Sequence, residues 1–193
     1  MHIESEQILP PYEMRGAPEI AKRALALFAV IGLALGAPKE ETVTWLRDES
    51  LWGELSPEEL KFVSAVEPTE RQRVNASWRS EALLMLLWAL GVVKELPSLA
   101  EQCDAGNFQE VLPPFADVAV NEFISTAQRR SDDELFDMAD SLLNSHWEAR
   151  DARIHNKPMP SNRDIGIIQE RHHAINWVIG YDGLPRDEVT TDT

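Results

Sequence analysis

The chain has 193 residues, 44% of them hydrophobic and 26% charged, with 33 acidic against 18 basic side chains and a formal net charge of −15. That length and composition suit one domain with a full hydrophobic core, and they exclude the polar, core-poor make-up of disordered chains. The charge repels polyphosphate and so disfavours nucleic acid, while the lone Cys103 excludes an internal disulfide and suits a reducing compartment.

Residues 1–17, with Pro10, Pro11 and Gly16, read as an extended lead-in. The next stretch, KRALALFAVIGLALGA at 22–37, has two cations followed by an uncharged apolar run, as signal peptides and membrane spans do. The run is shorter than the ~20 residues that cross a bilayer, and an acidic, proline-bearing segment precedes it. A buried core helix is therefore expected, in a cytoplasmic protein with no membrane role. Pro18 suits the first helical position, and Gly36 followed by Pro38 supplies the stop.

A second helix is expected after Pro38, with Val43, Trp45 and Leu46 turned inward. SPEE at Ser56 to Glu59 is a capping box that opens a short helix ending before Pro68. Thr69 to Gln72 is another, and the helix behind it is apolar at every position from Ala82 to Leu90, which makes it the second central helix. Between 92 and 116 the prolines leave room for a short helix after Ser98 and then irregular chain. Residues 117–128 pattern as either helix or strand, and helix is the reading adopted. Ser131 to Glu134 caps a long amphipathic helix reaching about His155, and a final helix spans roughly 165–179. Residues 181–193 form an acidic tail without helical periodicity, expected on or near the domain.

The fold class is thus all-α, one globular domain at 18–180 of about six to eight helices around two central apolar ones.

Three of these helices place polar groups where a helical wheel predicts core. In the long helix, Leu135, Ala139, Leu142, Leu143 and Ile154 define an inward face that also holds His146 and Arg150. Glu81 lies among Trp78, Met85 and Trp88, and Arg171 interrupts an apolar stripe of Ile167, Ile168, Ala174, Ile175 and Val178, with Glu170, His173 and Trp177 along one edge. An uncompensated buried charge costs several kcal/mol, against roughly 5 to 15 kcal/mol for a whole domain. Buried arginines here require carboxylates, and Glu81, Glu170, Asp140 and Asp151 are the candidates. The expectation is an internal network centred on Glu81 with Arg171 or Arg150, acting either as an architectural tie or as a ligand site.

Glu170 and His173 have the Glu-x-x-His spacing of di-iron bundles, but one copy does not make a ligand set, so neither a metal nor a cofactor is expected. Phosphate-cradling glycine loops, nucleophile elbows and paired cysteines are absent from the sequence. The six tryptophans, Trp45, Trp52, Trp78, Trp88, Trp147 and Trp177, read as core.

The succession PEIAKRALAL, LSPEE, SWRSEALLMLLWALG, HWEARDA, ERHHAINW and DEVTTDT resembles an uncharacterised bacterial family, domain of unknown function 4272. The resemblance implies no catalytic residue, so none is carried over. Charge, single domain and the lack of a reaction signature point to a non-catalytic cytosolic binding protein, an immunity or regulatory type partner of a basic protein. The alternative is an enzyme or a small-molecule or metal binder built on the Glu/Arg/His cluster. The oligomeric state is not legible in the sequence.

Overall fold

In the computed structural model, which describes residues 13–184 and 188–191, helices form where apolar periodicity and caps coincide. Helix α1 (Ala17–Ala34) opens after Gly16 with Ala17 and Pro18 as its first two residues, so the proline sits one position deeper than the sequence suggests. Its missing N–H still removes no helical bond there. The helix stops where Gly36 takes φ +100, a conformation that costs glycine little.

Helix α2 (Lys39–Asp48) is held down by Leu46, which is fully buried. The capping boxes at Ser56, Thr69 and Ser131 are all formed, and they open α3 (Pro57–Ser64), α4 (Glu70–Ala89) and α6 (Asp132–Ile154). The ambiguous 117–128 segment is helical over α5 (Val120–Ser125), and the last helix, α7, spans Ile165–Ile179. No strand occurs among the described residues.

The two apolar helices, α1 and α4, pack against each other at the centre; α4 also packs on α7, and α7 on α6. Helices α2, α3 and α5 lie against α1. The short helix expected after Ser98 is not there. The ordered turn comes later, a 3-10 turn at Ala105–Glu110, because the Asp104 carboxylate accepts from the Gly106 N–H at 2.8 Å and starts it.

The chain ends meet over α7. The Arg15 N–H donates to the Val178 carbonyl at 2.9 Å, and its guanidinium stacks 5.3 Å from the Trp177 ring centroid. Gly180, at φ +71, lies so close to this segment that a Cβ would stand 2.2 Å from the Glu13 carbonyl oxygen. From the tail, Val189 is buried in the core and the Thr190 carbonyl accepts from Asn176 Nδ2 at 3.0 Å. Residues 1–12 of the expected lead-in, and 185–187 and 192–193 of the tail, lie outside the described residues.

Candidate functional site

The polar cluster is built by α4 and α7. Glu81 stands immediately before the apolar run of α4, and Arg171 falls on the stripe of α7 that faces it, so the packing of these helices brings the two side chains together. Arg171 Nε donates to Glu81 Oε2 at 2.8 Å, with the residues 1% and 0% exposed. Glu81 Oε1 accepts from the Cys103 backbone N–H at 2.7 Å, and Arg171 Nη1 donates to the Pro97 carbonyl at 2.8 Å. The pair therefore does two jobs: it ties α4 to α7, and it pins the 97–103 segment over their junction. Burial and then the Glu81 carboxylate push the Cys103 thiol up to about 12, so this cysteine is no nucleophile.

The other candidate residues spread outward from this pair. Glu170 lies one residue away and receives both its hydrogen bonds from Arg79 Nη1, at 3.0 and 3.1 Å, a second α4 to α7 bridge. Trp78 covers the start of α7: a Cβ on Gly166 would stand 3.0 Å from its ring. Trp177 is buried under Arg15, and His173 is half-buried on α7.

His146 meets a partner the sequence analysis passed over, His172. Their Nδ1 atoms are 3.1 Å apart, both rings are buried, and the planes cross at 88°. One ring must donate and the other accept, so the accepting ring is neutral. Burial, then the His146 charge, brings the His172 imidazole down to about 4; burial and Arg150 lower His146 as well.

Arg150 itself corrects an expectation. It is exposed, as are Leu143 and Ile154, and Trp147 of the expected aromatic core is 59% exposed. The inward stripe of α6 consists of Leu135, Ala139, Leu142, His146 and Ala149, with Ser145 and Ala152 on its flank. Leu143, Arg150 and Ile154 belong instead to a second stripe about 100° further round, one residue later along the chain. Asp140 belongs to that outer stripe and is exposed too. Glu170, Glu81, Asp140 and His146 thus do not converge, and no grouping of three metal-ligating side chains occurs among the described residues.

A second buried pair went unread. Arg23 of α1 and Glu59 of α3 make a two-pronged bridge, Nη1 to Oε2 at 2.8 Å and Nη2 to Oε1 at 2.5 Å, with both residues buried. Glu59 Oε2 also accepts from the Ser56 N–H at 2.9 Å, so the capping carboxylate and the counter-ion are the same group. The signal was present: Arg23 sits one residue before a run of core positions, three after the fully buried Ile20.

A concavity lies elsewhere. The end of α1, one face of α2 and the 105–115 segment enclose a cleft of about 540 Å³, floored by Phe28 and Ile31 and walled by Trp45 and Phe115. Phe115 is held edge-on to Phe28, 6.0 Å between centroids. Glu41 lines the cleft, and a shallow acidic depression of Glu40, Asp48 and Glu49 adjoins it across Trp45. The cations of α2 are engaged elsewhere: Lys39 Nζ donates to the Ala65 carbonyl, and Arg47 stacks 4.7 Å from the Trp52 ring. Helical periodicity does not reveal this cleft, because its far wall is a 3-10 turn followed by irregular chain.

Taken together these features define an all-α domain whose buried charges are paired and whose described helices include none long and apolar enough to cross a membrane. Residues 3–189 match the model of a family described as Domain of unknown function (DUF4272), and the chain belongs to that family. No curated protein and no solved structure matches the chain.

Proposed function

We propose that this chain is a non-catalytic binding protein of the cytoplasm, an acidic partner for a basic protein of the immunity or regulatory type. The observation that supports it most is the sealing of the Glu81–Arg171 pair at 0% and 1% exposure. Groups that could do chemistry spend their hydrogen bonds on one another and on the backbone of 97–103, which is the behaviour of a tie. The alternative, a small-molecule or metal site at Glu81, His146, Arg171 and His173, needs an opening from solvent to Glu81. The recognition surface in this reading is the apolar cleft with its acidic margin, where a partner's apolar side chain enters beside Trp45 and its Lys or Arg residues face Glu40, Glu41, Asp48 and Glu49.

The test is affinity capture from the native host using the full chain as bait, beside the variant Glu40→Gln/Glu41→Gln/Asp48→Asn/Glu49→Gln. The expected result is a basic protein retained by the wild type and reduced at least tenfold with the variant. Capture with no basic protein enriched counts against the reading.

A further inference from the structure

Two of the side chains that line the cleft between α1, α2 and the 105–115 segment, Leu35 and Phe115, are each 64% exposed, so they form its rim. With half-buried Trp45 they surround a floor of buried Phe28 and Ile31. Exposed apolar surface continuous with a cavity of about 540 Å³, inside the size range of ligand pockets, marks an interaction site.

The polar side of this site carries one sign of charge. Glu40, Glu41, Thr44, Trp45, Asp48 and Glu49 recur at intervals of one and three residues along α2 and its C-cap, which gathers them on one face. The two acidic pairs stand eight residues apart, about 12 Å along the helix, with Trp45 between them. Trp45 and Glu41 border both the cleft and the acidic depression, so the two hollows are one continuous surface. None of the four carboxylates has an ion pair or hydrogen bond among the described residues, and no Lys or Arg lines either hollow.

Resting on the reading of the chain as an acidic partner for a basic protein, we propose that the segment taken by this cleft is a basic amphipathic α-helix. Its apolar stripe lies between Leu35, Trp45 and Phe115. Its Lys or Arg residues, two turns apart, fall on either side of Trp45, opposite Glu40 and Glu41 at one end and Asp48 and Glu49 at the other. Backbone chemistry selects the helix over an extended segment. No strand occurs among the described residues, so an extended peptide finds no sheet edge to pair with. Pressed against these apolar walls, its N–H and C=O groups would lose water without gaining partners, whereas a helix arrives with its backbone bonds already made. Residues seven or eight apart on a helix share one side and stand roughly 10–12 Å apart, which matches the acidic pairs. The apolar stripe holds the complex, and the rim charges set the sign and register of what enters.

Two synthetic peptides of about 18 residues, identical in composition and charge, test the proposal. In the first, leucines recur at helical spacing and lysines stand seven and eight residues apart along one edge of the leucine stripe; in the second, the same residues alternate with the period of a strand. Equal charge separates shape from general attraction to an acidic protein. Fluorescence anisotropy of dye-labelled peptide is followed as the full chain is added in physiological salt. The helical peptide is expected to bind at least about tenfold more tightly than its isomer, with Leu35→Ser and Phe115→Ser each weakening it at least about fivefold. The variant Glu40→Gln/Glu41→Gln/Asp48→Asn/Glu49→Gln should weaken it at least about threefold and flatten its salt dependence. Far-ultraviolet circular dichroism checks folding, and either of the two serine variants that folds decides alone. Equal affinity of the two peptides, or helical binding that the serine variants leave unchanged, overturns the helix in the cleft while the capture experiment still decides whether a basic protein is the partner. Binding of neither peptide up to about 300 μM overturns it too. Helical binding that the serine variants weaken and the four-site charge variant leaves unchanged overturns the basic character of the occupant, and the acidic-partner reading with it.

Discussion

Replacing Glu81 by glutamine removes one charge and changes almost no volume, so it isolates the electrostatic part of the α4 to α7 tie. In the wild type each carboxylate oxygen has one donor, Arg171 Nε at 2.8 Å and the Cys103 N–H at 2.7 Å. A glutamine side chain offers one acceptor oxygen and one NH2, so whichever way it turns, a donor is set against a donor. The guanidinium is then left 1% exposed with the Pro97 carbonyl as its remaining close acceptor, since Nη2 has no partner among the described residues. Removing one member of a buried pair costs about 3–5 kcal/mol, and a clashing buried donor adds about 1–3 kcal/mol, less whatever relaxation recovers. A loss of about 4 kcal/mol is expected, on the order of 10 °C in Tm for a chain of this length. Urea unfolding followed by circular dichroism measures it, with Glu81→Gln, Arg171→Met and the double variant closing a cycle. The double variant should recover part of the loss, because it leaves no buried charge, although the Cys103 N–H and the Pro97 carbonyl still lose their partners. A Glu81→Gln chain within 1 kcal/mol of wild type refutes the tie.

The His146–His172 pair makes stability depend on pH in a stated direction. Because burial holds the His172 imidazole at about 4 against an ordinary value near 6.5, its contribution is present above pH 6.5 and is lost as pH falls towards 4, amounting to about 3 kcal/mol; His172→Asn should flatten that part of a stability profile measured by urea unfolding from pH 7 to 4. Gly180→Ala should cost at least ~2 kcal/mol, through the positive φ and the collision of its Cβ with the Glu13 carbonyl, and should raise hydrogen exchange at the Arg15 amide bonded to Val178. With its thiol pushed up to about 12, Cys103 should resist iodoacetamide at pH 8 until the protein unfolds, and Glu81→Gln should speed its alkylation.

The helices were legible because their signals are local. Capping boxes at Ser56, Thr69 and Ser131, and the glycine stop at Gly36, each act within a few residues. Arg171 and Glu81 were legible for a different reason: a charge in an apolar stripe is an energetic anomaly with one cheap solution. His172 was missed because an imidazole can satisfy a neutral copy of itself, so it raises no demand for an opposite charge. Arg150 was misplaced because α6 has two apolar stripes, and periodicity alone does not say which of them meets the domain. The cleft was illegible since part of its wall, 105–115, comes from a 3-10 turn and irregular chain that carry no amphipathic period.

The two buried ion pairs answer a problem set by the central helices themselves. From Ala24 to Val30 and from Ala82 to Ala89, α1 and α4 are buried on all sides, and a cylinder that is apolar all round slides or rotates against its neighbours at little cost. Hydrophobic burial is proportional to area and says nothing about register. A guanidinium does, whether it holds one carboxylate through two nitrogens, as Arg23 holds Glu59, or divides them between a carboxylate and a backbone carbonyl, as Arg171 does with Glu81 and Pro97, because a shift of one residue, about 1.5 Å in a helix, takes its bonds out of range. Arg23 with Glu59 sets α1 against α3, and Arg171 with Glu81 sets α7 against α4; each pair also takes a backbone group from adjoining chain, Ser56 in one case and Cys103 with Pro97 in the other. The apolar runs of α1 and α4 supply the driving force, and the charges placed beside them select one packing from the several that force would allow.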